Sequence, residues 1–481
     1  MHDAILDRFP VQDHVHPMMS VFDPLRLAAV ALDILVCGHA TPEALAVRQN
    51  ARLAKLLAVA VQGSKVYRER LRGIQLDSAE LSTLPSVSRC ELMARFDDWV
   101  TDPQLKLAQL QLFIADPHRI GESYLDKYLI WESSGTSHEP GVFVQDAQAL
   151  AVYDALEALR RSTPRPLQYW FDAVMLNERI AFVGAIGGHF SSVVSLQRLR
   201  QLNPWMAQSL QCFSILQSTS TLVGELNAFA PTVIATYPTV AALLAEEAYR
   251  GSLAFRPKEV WTGGETLSVA VRQRVELALG CPVRNSYGAS EFMSIGWECN
   301  HGQLHANTDW VILEPIDERG RLVPAGQPSN STLLTNLANH VQPLIRYDLG
   351  DQVTVHQERC ECGSSLPVIE VRGRRDDPLL MAGRDGQSVT LLPLALTTVL
   401  EDEAGVFDFQ LRQQDDHTLV LRLELNGEPA ETVVTRCRAA LAHFAEVQGL
   451  APLDVIAELG QAVPRGRSGK AQRIVARPDV K

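Results

Sequence analysis

The chain of 481 residues lacks the features that would place it in a membrane or on a polyanion. Its formal charge is 44 − 56 = −12, which disfavours a surface that binds nucleic acid. The N-terminus has no basic region followed by an apolar run, so no secretory signal is visible. The most apolar early segment, 25–37, contains Arg26 and Asp33 and is too short to span a bilayer. We therefore expect a cytoplasmic protein with neither nucleic acid nor membrane as a partner, and a core helix over 25–37.

Cysteine is sparse, with eight residues in the whole chain. In a reducing cytoplasm thiols pack, bind metal or react more often than they form disulfides. Five of the eight are isolated along the chain and are interpreted as packed thiols. These are Cys37, Cys90, Cys212, Cys281 and Cys437.

The other three cysteines form a metal-like pattern with a histidine. Cys299 and His305 lie close together in sequence, and Cys360 and Cys362 form a Cys-x-Cys pair before a glycine. Three thiolates and one imidazole make a closed tetrahedral zinc site without an open catalytic position. The Cys-x-Cys spacing is tighter than that of the usual zinc pair, so buried thiols are the alternative. His301 is the alternative to His305 as the fourth ligand.

Hydrophobic patterning predicts an α/β fold. With 46% hydrophobic residues the chain can bury a large core and should divide into two or more domains. Apolar strands at 180–186, 232–236 and 259–261 alternate with helical stretches, which argues for an α/β sheet. Before them, Thr41-Pro42-Glu43 has a cap residue, a first-turn proline and an acid, and predicts a long amphipathic helix that runs toward Gly63.

Several of the predicted strands end in polar or glycine-rich turns. These turns are Gly187-Gly188-His189-Phe190, Tyr237-Pro238-Thr239, Thr262-Gly263-Gly264-Glu265 and Tyr287-Gly288-Ala289-Ser290-Glu291. In open α/β sheets ligands bind beyond the strand ends, and glycine lets the backbone approach a ring or a phosphate. For His189, Tyr287 and Glu291 the alternatives are a buried histidine, a core tyrosine and a solvated acid. No turn has the G-x-G-x-x-G spacing of a dinucleotide site.

A loop of small residues lies between two apolar runs, 128–130 and 142–144, that read as short buried strands. The loop is Ser133-Ser134-Gly135-Thr136-Ser137-His138-Glu139-Pro140-Gly141. Its N–H groups and hydroxyls can converge on phosphate oxygens, although a plain polar turn is the alternative. Because no Lys-Ser or Lys-Thr follows the glycines, this is not a Walker loop, and positive charge for phosphate must come from elsewhere.

The order of these segments resembles that of the adenylate-forming superfamily and, within it, the phenylacetate-CoA ligase-like branch. The resemblance runs from about Ser133 to Arg473. The small-residue loop is similar to the family's phosphate loop, with Glu139-Pro140-Gly141 in place of the common lysine. The resemblance implies that Ser133, Ser134, Gly135, Thr136 and Ser137 contact the phosphates of ATP.

Two further motifs resemble the family's nucleotide site. Residues 263–265 and 287–291 are similar to its adenine-binding segment and Y-G-x-x-E motif, which implies that Tyr287 flanks adenine and that Glu291 helps to hold Mg²⁺. The segment 345–351 is similar to the R-Y-x-x-G-D motif, which assigns the ribose hydroxyls to Asp351. On the residues alone, a turn aspartate is the alternative for Asp351.

The last two motifs resemble the family's hinge and tail. Gly373-Arg374-Arg375-Asp376-Asp377 is similar to the G-R-x-D-D hinge, which implies Arg374 near the ribose and Asp376 as the pivot. The segment 464–470 matches the P-R-x-x-S-G-K tail and implies that Lys470 is the catalytic lysine, against a solvated basic tail as the alternative. We therefore predict a large adenylation domain over 1–373, a hinge over 374–376 and a small mobile α+β domain over 377–481.

The resemblance implies an acid–thiol ligase. An acid and MgATP would give an acyl-adenylate and pyrophosphate, and CoA or the phosphopantetheine thiol of a carrier protein would take the acyl group. Because a carboxylate attacking the α-phosphate brings two anions together, cations and N–H dipoles are needed at the developing charge. From the branch it resembles, and from Phe190, Tyr237 and Trp261 as pocket walls, we expect an aromatic acid. His189 or backbone N–H groups would orient its carboxylate.

Two rival functions fit the same residues. One is an adenylating tailoring enzyme that passes the acyl group to an amine or another nucleophile, and the other is a non-catalytic nucleotide sensor.

Similar C-x-C-G segments recur in the branch, which favours a structural zinc that fastens the loop after Glu291 to the strand after Asp351. A small carboxylic acid, CoA or a carrier protein, and a second copy of the chain in a homodimer are the partners considered.

Overall fold

In a computed structural model, thirteen α-helices and twenty β-strands in six sheets form over the described residues. These are residues 21–38, 40–76, 80–133, 140–160, 178–356, 358–372, 378–406, 409–423, 429–459, 463 and 472–477. No helix within these ranges is both long and apolar enough to cross a membrane.

The first part of the chain is helical. Its helices are α1 (Pro24–Cys37), α2 (Pro42–Gly63), α3 (Lys65–Arg70), α4 (Arg89–Met93), α5 (Phe96–Trp99) and α6 (Leu107–Ile114). Helix α2 begins as predicted, with Pro42 in its first turn and the Thr41 side chain accepting a hydrogen bond of 3.3 Å from the N–H of Ala44. Its buried residues recur at helical spacing and face the core.

Helix α1 forms where it was predicted but is only partly a core helix. Ile34 and Cys37 are its buried residues, whereas Leu25 is 83% and Leu32 65% exposed. The apolar composition of this segment therefore predicts more burial than the structure shows. Composition alone does not say which face of a helix finds a partner.

Strands β1 (Tyr128–Glu132) and β2 (Val142–Asp146) pair antiparallel and enclose the small-residue loop, with Glu132 opposite Val142. Helix α7 (Ala147–Leu159) follows directly. Its N-cap is Asp146, whose carboxylate accepts a hydrogen bond of 2.9 Å from Ala149 N–H. The two strands predicted on either side of the loop are confirmed.

A seven-stranded sheet follows, in the order β4-β3-β5-β6-β7-β8-β9. Its strands are β3 (Ile180–Gly184), β4 (Leu210–Ser214), β5 (Val233–Thr236), β6 (Glu259–Thr262), β7 (Val283–Ala289), β8 (Phe292–Glu298) and β9 (Leu304–Ala306). Strands β3, β4, β5, β6 and β7 run parallel to one another. Strand β8 pairs antiparallel with both β7 and β9. The interleaved helices are α8 (Ser191–Leu202), α9 (Thr219–Phe229), α10 (Pro238–Tyr249) and α11 (Val269–Leu279). The carboxyl ends of the parallel strands thus share one edge.

Three small antiparallel sheets continue the chain. They are β10 (Val311–Ile316), β11 (Ser331–Asn336) and β12 (Tyr347–Asp348); β13 (Gln352–Val355) with β14 (Ile369–Arg372); and β15 (Leu379–Ala382) with β16 (Ser388–Leu391). Strand β13 starts immediately after Asp351, so the last residue of the R-Y-x-x-G-D segment lies at a strand boundary.

The C-terminal region is α+β, as predicted. Its elements are α12 (Pro393–Asp402), β17 (Phe409–Gln413), β18 (Thr418–Leu423), α13 (Ala430–Val447), β19 (Asp454–Leu459) and β20 (Ile474–Val475). The four strands form a sheet in the order β19-β18-β17-β20, with β17 and β18 antiparallel and both outer pairs parallel. Helix α13 buries one face against this sheet.

Two large hydrophobic cores hold the described residues together. One joins the N-terminal helices to β1, β2, α7 and β12, and the other joins one face of the seven-stranded sheet to the C-terminal elements. Gln448 reinforces the second core by donating hydrogen bonds of 2.9 Å to the carbonyls of Leu216 and Gln217. The predicted hinge, 374–376, lies outside the described residues, and the division of the chain at this point stays a prediction.

Candidate active site

The turns at the carboxyl edge of the parallel strands meet at a cleft of about 1010 Å³. Nine of the residues singled out from the sequence line it. They are Ser133, Gly264, Glu265, Tyr287, Gly288, Ala289, Ser290, Glu291 and Asp351. These residues come from four separate parts of the chain. One cavity is therefore lined by the start of the small-residue loop, by the two segments similar to the family's adenine site, and by the aspartate assigned to the ribose.

A hydrogen bond joins two of the predicted nucleotide residues across the cleft. The hydroxyl of Tyr287 donates to Asp351 Oδ2 over 2.8 Å. Burial and the charge of Asp351 raise the pKa of Tyr287 well above its usual value, so the phenol stays protonated and keeps donating. This bond fixes the orientation of the carboxylate that the resemblance assigns to the ribose.

Glu291 is held in a similar way by a tyrosine that the motif analysis did not single out. The hydroxyl of Tyr347, on β12, donates to Glu291 Oε1 over 2.6 Å. Burial and the charge of Glu291 raise the pKa of Tyr347 well above its usual value. Asn336 also donates to the backbone carbonyl of Glu291 over 2.9 Å. The carboxylate therefore faces the cleft in a fixed position, with the oxygen chemistry that Mg²⁺ prefers.

Two glycines of the motifs are required by the backbone around them. A Cβ on Gly288 would lie 1.9 Å from the carbonyl oxygen of Met293, so no side chain fits there. Gly264 has a φ of +78° and lies against the ring of Tyr237. The next residue, Glu265, accepts hydrogen bonds from the N–H (3.0 Å) and hydroxyl (3.1 Å) of Thr239. This contact ties the turn after β6 to the start of α10.

The base of the small-residue loop is closed by Ser133. Its N–H donates to the Gly141 carbonyl, and its Oγ accepts from the Gly141 N–H, both over 2.9 Å. Arg89, on α4, donates to the same Oγ over 3.4 Å and also lines the cleft. The sequence predicts a cation near this loop from elsewhere in the chain, because the lysine common in the family's phosphate loop is missing here. No local signal in the sequence marked Arg89, because it lies 44 residues earlier.

Seven of the predicted site residues lie outside the described residues. They are Ser134, Gly135, Thr136, Ser137, Arg374, Asp376 and Lys470. Their roles stay predictions. The nearest described residue after Lys470 that lines the cleft is Arg473, whose buried guanidinium pairs with Glu401 of α12.

His189 and Gly263 do not line the cleft. His189 is fully buried, its ring centroid lies 5.7 Å from that of Phe113, and burial lowers its pKa, which favours a neutral ring. Its position supports packing rather than the predicted contact with substrate. Gly263 packs closely against Ser286, where a Cβ would be 2.8 Å from the Ser286 Oγ.

The three aromatic residues expected to wall a substrate pocket are not brought together. Phe190 and Tyr237 pack against the core on one face of the seven-stranded sheet. Trp261 packs against a separate cluster with Ile180 and Leu210. These residues therefore give no support to the prediction of an aromatic acid.

Three acidic side chains on β1 and α12 have raised pKa values; Glu401 is buried, Glu132 is half-buried and the surface of Asp402 is exposed. Burial, followed by the charge of Asp402, raises the pKa of Glu132 to about 7. Burial likewise raises the pKa of Glu401 to about 7 and that of Asp402 to about 6. Glu132 follows Trp131 at the entrance of the small-residue loop, whereas the other two belong to the C-terminal region. Their proximity depends on tertiary structure and has no signal in the sequence.

The predicted metal-binding residues converge beside β8 and β9. One donor atom from each of Cys299, His305, Cys360 and Cys362 lies within 4.8 Å of the other three. The Cys299 and Cys360 sulfurs are 3.7 Å apart, and Cys362 Sγ is 3.4 Å from His305 Nε2. A tetrahedral zinc with Zn–S bonds of about 2.3 Å and a Zn–N bond of about 2.0 Å separates such atoms by about 3.8 and 3.5 Å. The four side chains therefore fit a zinc ion.

The surroundings of His305 orient it as a ligand. Its Nδ1 is 2.8 Å from the carbonyl oxygen of Leu366, which can accept a hydrogen bond from Nδ1–H, and its Nε2 faces Cys362. The indole of Trp297 stacks on the imidazole, with centroids 5.3 Å apart. The alternative ligand, His301, instead lies 3.8 Å from the carboxylate of Glu361. The geometry favours His305.

Comparison with known proteins gives partial sequence matches. No family model matches the chain. It is 27% identical to Protein CapK of Staphylococcus aureus over 217 residues and 31% identical to the phenylacetate-coenzyme A ligase of Thermus thermophilus over 183 residues. These segments cover 43% and 36% of this chain, and 44% and 39% of those two proteins. The chain thus matches less than half the length of these relatives.

Solved structures match over nearly the whole chain. A 2-hydroxyisobutyryl-CoA ligase in complex with 2-HIB-AMP and CoA has a TM-score of 0.55 at 19% identity and covers 98% of this chain and 94% of that one. An open conformation of a 2-hydroxyisobutyryl-CoA ligase has a TM-score of 0.50 at 20% identity, covering 90% and 91%. At this level of identity the match describes the fold.

Proposed function

We propose that this chain, which has the fold and ordered motifs of adenylate-forming ligases and resembles their phenylacetate-CoA ligase-like branch, is an ATP-dependent acid–thiol ligase. It would convert a carboxylic acid and MgATP into an acyl-adenylate and pyrophosphate, and then transfer the acyl group to a thiol. The observation that carries the proposal is the meeting of Ser133, Tyr287, Glu291 and Asp351 in one cleft.

The contacts in the cleft suggest a role for each group. Asp351, oriented by Tyr287, would accept hydrogen bonds from the ribose hydroxyls, and the ring of Tyr287 would lie against adenine. Glu291, held by Tyr347, would help to bind Mg²⁺ between the phosphates. Arg89, beside Ser133, would supply the positive charge that the loop itself lacks. Lys470 would neutralise the charge that develops at the α-phosphate.

The four metal-binding side chains would hold a structural zinc ion. With three thiolates and one imidazole the coordination sphere is closed, so the ion supplies no catalytic position. It would join the segment after β8 to that between β13 and β14, both of which border the cleft. We therefore assign the ion to the stability of the cleft wall.

For the acid and the thiol we propose an aromatic carboxylate and CoA, with a carrier-protein thiol as the second acceptor. The aromatic acid is supported by the sequence match to a phenylacetate-coenzyme A ligase. CoA is supported by the same relative's name and by the 2-hydroxyisobutyryl-CoA ligase that shares the fold. Both assignments concern the whole protein's activity and are separate from the adenylation step.

The experiment is a pyrophosphate-release panel of aryl and short-chain acids, run with and without CoA. We expect release with at least one acid without CoA, and faster turnover with formation of an acyl-CoA when CoA is present. Release without transfer to any thiol, but with transfer to an added amine, would support the tailoring enzyme instead. Nucleotide binding without release for any acid would support the sensor.

A further inference from the structure

A side pocket of about 70 Å³ adjoins the cleft between α7 and strands β6 to β8. Asn285, Ser286 and Glu298 line both spaces. The two spaces therefore meet along β7, one residue before Tyr287. A substrate whose carboxyl group lies in the cleft could extend a substituent into the side pocket.

Most of the charged groups in the pocket wall already have partners. Arg160 donates to Asn307 Oδ1 over 2.6 Å and forms a bidentate pair with Asp309 at 2.7 and 2.6 Å. Glu157 accepts a hydrogen bond of 2.8 Å from Ser294. These groups stabilise the wall and do not require a ligand.

Glu298 also has a partner within the protein. Its Oε1 accepts a hydrogen bond of 3.1 Å from Arg272 of α11, and a second contact links the same two side chains. Glu298 is buried, and this ion pair holds its carboxylate beside the pocket. The pocket therefore has two carboxylates in its wall, since Glu157 lines it as well.

Two donors in the wall differ from these groups. Arg284 Nε and Trp297 Nε1 are buried and have no hydrogen-bond partner among the described residues. Ser286 pairs with Trp297 across the β7–β8 ladder, so Arg284, two residues before Ser286, projects from the same face. Buried polar groups are nearly always paired, and both of these are donors only. The missing partner is thus a hydrogen-bond acceptor.

We propose that the acid substrate carries a hydroxyl group in addition to its carboxyl group, and that Arg284 Nε and Trp297 Nε1 bind the oxygen of this hydroxyl in the side pocket. A neutral oxygen is assigned rather than a second carboxylate because Glu157 and Glu298 balance the charges of Arg160 and Arg284 in the same wall, which leaves no net positive charge for an anion. The inference deepens the proposed function and rests on it.

The volume of the pocket indicates which part of the acid enters. At about 70 Å³ it is less than half of the roughly 150 Å³ of an apolar cavity that holds benzene. A ring would therefore stay in the cleft while its hydroxyl enters the side pocket. The substrate class is a hydroxylated aromatic acid.

The test compares acids of matched size in acid-dependent exchange of labelled pyrophosphate into ATP. The acids are phenylacetate, its three ring-hydroxylated isomers and its ring-carboxylated analogue. The variants are Trp297→Phe, which removes the N–H but keeps a ring against His305, and Arg284→Met. Trp310→Phe is the matched control, because Trp310 Nε1 is also buried without a partner among the described residues but the ring lies under Arg52, away from the pocket.

We expect the wild type to prefer one hydroxylated isomer over phenylacetate by at least about 10-fold in kcat/KM. Trp297→Phe and Arg284→Met should each lower this preference about 3- to 10-fold and leave phenylacetate within about 2-fold. Trp310→Phe should change neither value. An equal preference in the wild type and in Trp297→Phe, or no preference in the wild type, overturns the inference while the ligase function stands.

A binding measurement distinguishes failure of the proposed ligase function from failure of the pocket assignment. If no acid supports exchange, binding of the same acids is measured by ligand-observed NMR without ATP. Weaker binding of the hydroxylated isomer to Trp297→Phe than to the wild type and Trp310→Phe then still supports the pocket assignment. Equal binding to all three proteins overturns it.

Discussion

At the scale of single residues, the contact between Tyr287 and Asp351 directly links two motifs that lie far apart in sequence. Tyr287→Phe removes the 2.8 Å hydrogen bond and keeps the ring. Since hydrogen bonds to charged groups contribute about 1.5–3 kcal/mol, we expect KM for ATP to rise about 10-fold with little change in kcat. Steady-state kinetics of pyrophosphate release measure both values.

Tyr128→Phe is the matched control for this substitution. The hydroxyl of Tyr128 also donates to an aspartate, Asp102, over 2.6 Å, but neither residue lines the cleft. We expect its KM for ATP to be that of the wild type. Equal KM values for Tyr287→Phe and the wild type would show that the hydroxyl does not orient a nucleotide-binding group.

Gly288 is the residue of the site that tolerates substitution least. An alanine Cβ would lie 1.9 Å from the carbonyl oxygen of Met293, so the β7–β8 turn must move. We expect Gly288→Ala to lower the free energy of unfolding by about 3 kcal/mol. Gly224→Ala, in α9 with nothing within 4 Å of its Cβ, should instead raise it by about 0.5–1 kcal/mol. Urea unfolding of both variants measures the difference, and equal effects would contradict it.

At the scale of elements, the four proposed zinc ligands lie on two segments that border the cleft. We expect the purified chain to carry one zinc ion, and Cys360→Ser to weaken zinc binding more than about 100-fold and to lower Tm, because a ligand is lost rather than an outer-shell partner. Cys212→Ser, in β4 and far from the cluster in sequence, should change neither quantity. Metal analysis measures the zinc content and thermal unfolding measures Tm. The same zinc content in the wild type, Cys360→Ser and Cys212→Ser would refute the assignment.

The stability of the folded chain should depend on pH through Glu132, on β1. Burial and Asp402 raise the pKa of Glu132 from its usual value near 4.5 to about 7. The folded state therefore binds the proton more tightly than the unfolded state, so stability is fully present below about pH 4.5 and falls as pH rises through about 7. Asp402, with a pKa raised to about 6, acts in the same direction.

Glu132→Gln removes the titrating group without changing its size. We expect the wild type to lose about 1–3 kcal/mol of unfolding free energy between pH 5 and pH 8 relative to Glu132→Gln. Denaturant titrations of both proteins at the two pH values measure this difference. Parallel pH profiles would mean that Glu132 is solvated in the folded protein and does not face Asp402.

At the scale of the whole molecule, the predicted α/β fold and the resemblance to the phenylacetate-CoA ligase-like branch are confirmed. The motifs could be recognised because each is a continuous string of residues, and the turn after β6 lies at the edge where the parallel strands end. Tyr287 lies within β7 and Asp351 between β12 and β13, so the meeting of these two residues depends on packing between separate sheets. Strand β4 was missed, since Leu210–Ser214 has a mixed pattern of apolar and polar residues.

Other features of the site could not be predicted because they depend on contacts distant in sequence. Arg89 reaches Ser133 from a separate helix, and Tyr347 reaches Glu291 from the middle of its own motif. The burial of His189 was open in the sequence, where a pocket residue and a core residue leave the same pattern. Local patterns specify turns and chemistry, whereas tertiary packing decides which side chains meet.

The central claim is that a terminal lysine and a nucleotide bound in the cleft activate a carboxylic acid. Acid-dependent exchange of labelled pyrophosphate into ATP measures this step alone, without any acyl acceptor. We expect the wild type to catalyse the exchange and Lys470→Ala to lower it at least about 100-fold while keeping the wild-type circular dichroism spectrum. Exchange that no acid stimulates, or that is as fast in folded Lys470→Ala as in the wild type, would contradict the account.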